Sequence, residues 1–405
     1  MKRHWKILTL AGVILLGFGG FYGLQAVSAS QSPQVVLHTK EGNLKDIEPL
    51  TIDADLSHGG LYEELAYHAG ETRTKEDFSF LERLDKKHHW HDKLVEYQED
   101  YPSFIRGKSL YIDYFTESED HVLYAEAPYF DTDGGRKIFA ELLNKETGET
   151  TEWTLEVPVD DPRGRFTIID SYIGEDTLHF LVNQQPAQHY DALQDDLVVY
   201  TFDLQTEELS VSRSLISLAG VADSPNLYVT FYPDATLSYN RRFVPFYINE
   251  AEGYSGEPET EEPAQEVFVY DFETHSVSTF VPEETIPADS NVMLYENHLY
   301  FYTLEDETIE IHLYDMASGT FTDAWTLDAG EYAEPYGNGY SIAVDVRNRL
   351  YVFNTLKTSE NEAYLLVYDL NTEERMYAGE VALENEPQGM YELYMDVKVF
   401  ENQTD

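Results

Sequence analysis

The chain has 405 residues, 42% of them hydrophobic and 14% aromatic, which is enough for one large or two ordinary domains with a packed core. Its 76 acidic against 26 basic residues give a net charge of −50, and a surface this negative repels phosphate backbones, which excludes a nucleic-acid partner. The absence of cysteine excludes disulfides, thiolate zinc sites, a cysteine nucleophile and a lipidated cysteine.

The 31 Tyr and 21 Phe favour a pleated, half-buried surface, so the expected fold class is all-β. In chain order, "MKRHWK" is a basic start, followed by an apolar run from Ile7 to Val27. That run is near the ~20 residues that span a bilayer and longer than the ~7–15 of a cleaved secretory core. Residues 1–29 are therefore expected to be a signal-anchor or N-terminal transmembrane helix, with a competing cleavage site after Ala29 that would release the protein. Either outcome places residues 30–405 outside the cytoplasm: in a single-pass cell-membrane protein if uncleaved, in a secreted one if cleaved.

Residues 30–103 are expected to hold the N-terminal strands "PQVVLHTK" and "LTIDADL" and one amphipathic helix near Lys75–Tyr101, ended by Pro102. The helix contains "LERLDKKHHWHDKL", in which Asp85, His88, His89, His91 and Asp92 form a candidate metal site. His88 and Asp92 stand four residues apart, as do Asp85 and His89, and zinc accepts such donors. His88 and His91 also fall on the apolar stripe of Leu81, Leu84 and Val95, so structural histidines are the favoured assignment.

Residues 104–405 are expected to be a repeat domain. "LLNKETGE", "YTFDLQTEE", "FVYDFETHS", "HLYDMASGT" and "LVYDLNTEE" each end an apolar strand in Asp or Asn, two residues, then Thr or Ser. The anchor pairs are Asn144/Thr147, Asp203/Thr206, Asp271/Thr274, Asp315/Ser318 and Asp369/Thr372. An Asp or Asn side chain accepts a backbone N–H two residues on, so each pair predicts a tight turn between adjacent strands. Gly148 and Gly319 follow two of the hydroxyl residues, where a bulged hairpin requires a left-handed conformation; the other three copies have Glu or His there. A second strand is expected upstream of each turn: "SLYIDYF", "TLHFLV", "NLYVTFY", "HLYFYT" and "RLYVFNT". Anchor spacings of 59, 68, 44 and 54 residues start within the ~40–50 residues of a propeller blade and extend above it.

On these five turns the chain resembles a divergent β-propeller of the kind found in exported, membrane-anchored bacterial proteins of unassigned function. The resemblance covers residues 104–383 and implies six blades, with five and seven left open, and a β-sandwich or two smaller β-domains as the competing fold. "MYELYMDVKVF", residues 390–400, is expected to close the ring by completing a blade with both N-terminal strands.

Two shorter motifs point to turns rather than sites. "FDTDGGRKIF" begins like a calcium loop at Asp131 and Asp133 but lacks the later ligands, and "DPRGR" offers Arg163 and Arg165 to an anion. The stretch from Phe243 to Val346 holds 23 acidic residues and no Lys or Arg, and includes an acidic loop at 251–266. It needs either salt screening or a bound divalent cation such as Ca2+; screening is favoured, and no cofactor is otherwise expected. No nucleophile elbow, zincin helix, phosphate loop or dinucleotide fingerprint occurs. The favoured function is a non-enzymatic binding, sensory or regulatory platform at the cell surface, meeting the membrane through residues 7–27 and an unidentified protein or cell-wall partner. The alternative is an exported carbohydrate-active hydrolase or lyase at the propeller channel.

Overall fold

The computed structural model describes residues 33–47, 50–68, 70–74, 92–128, 136–158, 165–185, 196–215, 227–231, 239–250, 266–280, 286, 290–305, 307–332, 339–345, 347–387 and 389–399. Four strands come first: β1 (Gln34–Glu41), β2 (Leu50–His58), β3 (Leu61–His68) and β4 (Glu71–Thr74). Two short helices follow, α1 (Asp92–Asp100) and α2 (Pro102–Ile105), with Pro102 opening the second, where its missing N–H costs nothing. Residues 7–27 and 75–91 lie outside the described residues, and among those described no helix is long and apolar enough to cross a membrane.

Among the described residues these four strands and those that follow form six antiparallel sheets of four or five strands. The first is β5 (Phe115–Glu117), β6 (His121–Glu126), β7 (Arg136–Asn144) and β8 (Thr150–Val157). The second is β9 (Arg165–Ile173), β10 (Thr177–Gln185), β11 (Asp196–Asp203) and β12 (Leu209–Ser214). The third is β13 (Leu227–Phe231), β14 (Phe243–Glu250), β15 (Val267–Asp271) and β16 (Ser276–Phe280). The fourth is β17 (Asn291–Tyr295), β18 (His298–Glu305), β19 (Thr308–Asp315) and β20 (Thr320–Asp328). The fifth adds β1 to β21 (Tyr340–Val344), β22 (Arg349–Asn354), β24 (Tyr364–Asp369) and β25 (Glu374–Glu384). The terminal sheet runs β23 (Leu356–Thr358), β26 (Tyr391–Val399), β2, β3, β4.

The five Asp/Asn turns close the hairpin between the last two strands of the first four sheets and between β24 and β25. Asn144 accepts the Thr147 N–H at 2.9 Å, Asp203 the Gln205 and Thr206 N–H groups, Asp271 the Glu273 N–H, Asp315 the Ala317 N–H and Asp369 the Asn371 N–H. The fifth position is left-handed in every copy: φ is 70° at Gly148, 56° at Glu207, 52° at His275, 68° at Gly319 and 60° at Glu373. The side-chain cap therefore imposes the bulged turn even where the residue resists it. Glu207→Gly and Glu373→Gly are each expected to stabilise the fold by about 0.5–1 kcal/mol by relieving the left-handed Cβ penalty, read as a higher urea midpoint.

"TLHFLV", "HLYFYT" and "RLYVFNT" form the second strands expected of the repeat. "NLYVTFY" also forms a strand upstream of its turn, β13, with β14 between it and β15, whereas most of "SLYIDYF" is irregular or a 3₁₀ turn over Ile112–Tyr114. The closing strand meets the expectation by half. β26 pairs with β2 from Leu50↔Val399 to His58↔Tyr391, whereas β1 pairs with β25 in the fifth sheet. Arg375 of β25 holds β1 there through Glu41, at 3.0 Å from Nε to Oε2.

The chain divides into two compact units, Met1–His88 with Leu304–Glu310 and Trp325–Asp405, and His89–Thr303 with Ile311–Ala324. In the second unit the core alternates with the strand period. Val122 and Tyr124 pack on Leu94, Tyr97 and Phe104 of the helices, while Leu123 and Ala125 pack on the second sheet. Leu181 and Val199 then meet Phe246 and Tyr270 of the third sheet, and Val267 and Val269 meet Leu299 and Phe301. In the first unit Ile52, Leu65, Leu393 and Val397 of the terminal sheet pack on Tyr351, Leu365 and other residues of the fifth. The tyrosine content has a structural use: rings of Tyr97, Tyr351 and Tyr368 are fully buried while their hydroxyls donate to Glu117, Asp345 and the Asp328 carbonyl.

Candidate functional site

A polar network in the second unit is built around four consecutive residues, Tyr239 to Arg242, that lead into β14. Tyr239 forms a parallel bridge with Glu117 at the end of β5, and the Asn240 N–H donates to the Glu117 carbonyl at 3.0 Å. The Asn240 side chain then imitates a neighbouring strand. Its Oδ1 accepts the Ile173 N–H at 2.7 Å and its Nδ2 donates to the Ile173 carbonyl at 2.9 Å, at the end of β9.

Arg241 reaches Asp170 of β9 at 2.7 Å, with their side chains 14% and 9% exposed. The Ser171 N–H donates to the other Asp170 oxygen at 2.8 Å. Arg242 binds Asp271 with both fork nitrogens at 2.8 Å and also meets Glu273, to which the Tyr172 hydroxyl donates at 3.1 Å. Burial alone would raise the Asp271 carboxyl; hydrogen bonds from Arg242 and Thr274 outweigh it and hold the group below its ordinary range. Three sheets are thus clasped by one tetrapeptide.

Glu117 extends the network to α1. Lys145 and Lys93 approach it at 2.7 and 2.9 Å, and the Tyr97 hydroxyl donates to it at 2.7 Å. Its burial works to raise the carboxyl, and these donors reverse the sign, so it stays ionised. Four of the chain's 26 basic residues, Lys93, Lys145, Arg241 and Arg242, are used here, each on a carboxylate. Such an arrangement positions backbone rather than transferring protons.

Beside it, His179 of β10 is 4% exposed. Thr177 and Thr201 hydroxyls sit 2.9 and 3.1 Å from its two ring nitrogens, and Tyr172, Phe272 and His275 pack around the ring. Burial pushes this imidazole down to about 4, with a smaller contribution from His275.

Of the metal candidates, Asp85, His88, His89 and His91 lie outside the described residues, and Asp92 is placed only as the first residue of α1. Among the described residues no group of three or more His, Asp or Glu side chains is arranged to hold a metal ion. Asp131 and Asp133, Arg163 and the acidic loop up to residue 265 also fall outside them, and Arg165 only begins β9. The clasp was not anticipated, although its signal was present: "NRR" at 240–242 is the last basic residue pair before the cation-free acidic stretch.

No protein-family model matches this chain, and no curated protein matches it. Among solved structures it is similar to the polysaccharide lyase Uly1, at 10% identity and a TM-score of 0.36, over 66% of this chain and 57% of that one. It is similar to the acylaminoacyl peptidase of Pyrococcus horikoshii at 11% identity and a TM-score of 0.33, over 63% of this chain and 37% of the peptidase. The chain thus spans little more than half the length of the lyase and under two fifths of the peptidase. The β-propeller domain of the Trilobed protease from Pyrococcus furiosus, described as having an open velcro topology, matches at 9% identity and a TM-score of 0.33, over 85% of this chain and 97% of that domain.

Proposed function

We propose that the protein is an extracytoplasmic six-bladed β-propeller, tethered to the cell membrane by residues 7–27, that acts as a non-enzymatic binding, sensory or regulatory platform. The observation that carries this reading is the terminal sheet, in which C-terminal β26 lies beside N-terminal β2 over nine residue pairs. With five other sheets each built on a four-strand meander, that pairing supports the reading, being of the kind by which a propeller joins its ends. β1 begins at Gln34, only seven residues beyond Val27, so the tether would hold the platform close to the bilayer.

Two measurements test it. Membrane fractionation and mass spectrometry of the mature N-terminus should show an uncleaved chain, and an N-terminus at Ser30 removes the tether. Turnover assays on a panel of polysaccharides and glycosides should show no rate above background. A robust rate abolished by substituting one carboxylate would favour instead the carbohydrate-active hydrolase or lyase at the propeller channel.

The platform is taken to need salt, not a bound metal. Self-repulsion among fifty uncompensated charges is screened over about 10 Å at 0.1 M salt. Thermal melts in sodium and calcium solutions of matched ionic strength are expected to coincide. A calcium-specific rise at millimolar concentration would place a cation site on the acidic stretch from Phe243 to Val346.

A further inference from the structure

The first sheet is covered unevenly on the face that α1 and α2 pack against. Val122 and Leu143 are buried with the helices, while further along the same face Glu126 and Glu141 are only partly covered and Phe139 is 41% exposed. The segment that joins α2 to β5 borders this opening. It presents Tyr111, 67% exposed, and turns through Ile112–Tyr114 before entering the strand.

The rings here meet edge to face. Tyr111 and Tyr114 stand 5.6 Å apart at 73°, and Tyr114 and the buried Tyr124 stand 6.3 Å apart at 88°. Such contacts build the walls of a corner, not a flat platform. Glu126 is fixed beside it, accepting the Ser109 hydroxyl at 2.8 Å and the Tyr124 hydroxyl, with Phe139 directly opposite it on β7. Burial first, then the nearby Glu126, Tyr111 and Asp113, pushes the Tyr114 phenol above its ordinary value, so both carboxylates act on this ring.

The charges here are unequally matched. Lys108 is engaged by Glu141 and Lys137 stands opposite Glu156, whereas among the described residues no Lys or Arg pairs with Glu126 or Asp113. The same wall already seats one ammonium on aromatic faces, for Lys108 Nζ lies 4.2 Å from the Phe104 ring centroid and 5.3 Å from that of Tyr124. Ring faces beside unpaired carboxylates suit a further cation, and their exposure selects the kind. A bare ammonium keeps its water at an open site, whereas a methylated one is poorly hydrated and gains from each ring it touches. Coplanar rings, on which a run of sugars would stack, are not what this corner offers.

We propose that Tyr111, Tyr114 and Phe139, with Glu126 and Asp113, form a binding site for a small organic cation that carries a quaternary ammonium group. The rings cover its methyl groups and the carboxylates supply the countercharge. This deepens the platform reading by naming a ligand class, and its failure would leave the tether and turnover tests standing.

Titration calorimetry of the full chain in a non-ionic detergent tests it, at about 0.15 M sodium chloride so that diffuse attraction to the acidic surface is screened. Choline and tetramethylammonium are expected to bind saturably at about 1 mM or below, and the neutral carbon isostere of choline at least about tenfold more weakly. Tyr111→Leu should weaken choline by about two- to fivefold, and Asp113→Asn and Glu126→Gln each by a similar factor. Tyr111 and Asp113 are exposed, so those two variants should melt with the parent and keep the comparison clear of folding. The absence of saturable heat up to about 10 mM choline overturns the proposal. So does equal affinity for the neutral isostere, which would make this an apolar patch only, and so does choline binding that Tyr111→Leu with Asp113→Asn leaves unchanged, which would put the cation elsewhere.

Discussion

Asp170→Ala is expected to lower unfolding stability by about 3–5 kcal/mol, because it removes the carboxylate that the Arg241 guanidinium meets at 2.7 Å at a site where both side chains are largely covered. The loss should appear as a shifted urea midpoint with an unchanged slope. Replacing both partners together, Asp170→Leu with Arg241→Met, should recover most of it, since apolar groups of similar volume remove the desolvation cost along with the attraction. If the single substitution is neutral, the tetrapeptide 239–242 does not clasp the sheets in the way its geometry implies.

His179 should give the protein a marked acid sensitivity. The group is neutral when folded, with its pKa down at about 4 against an ordinary value near 6.5, so the unfolded chain binds the proton first as pH falls. Its contribution is therefore complete above about pH 6.5 and is lost progressively toward pH 4, by about 3 kcal/mol in all. Relief of acidic self-repulsion acts in the opposite direction over the same window and is common to the parent and a variant. The measurement is thus the difference in unfolding free energy between the parent and His179→Gln from pH 7 to pH 4. That difference should shrink or change sign on acidification, and a constant difference would show that the imidazole titrates freely in the folded state.

The turns were legible because their chemistry is local: Asp203, Asp271 and Asp315 satisfy backbone N–H groups two residues away, and such spacing is printed in the sequence. Glu207, His275 and Glu373 looked like departures from the pattern, yet they adopt the same left-handed backbone, since the cap and the strand pairing together outweigh a penalty of about 1 kcal/mol. Strand partners were less legible. "PQVVLHTK" and "LTIDADL" alternate alike, and nothing within either tells which will lie beside β25 and which beside β26. Of the clasp only the "NRR" pair and the turn anchor Asp271 stand out in the sequence, because Glu117 and Asp170 are ordinary surface-type residues until the fold brings them together.

The pairing of β2 with β26 also orders events in time. Leu50 finds Val399 only after the whole intervening chain has emerged, so this pairing forms after every strand between the two has been made. Until then β2 presents an unpaired edge to whatever surrounds it, and a strand in that state is a template for pairing with another chain. A protein delivered with its N-terminus first would therefore pass through an interval of exposure proportional to its length. Truncation of the final strand would make that interval permanent, turning a folding delay into an aggregation route.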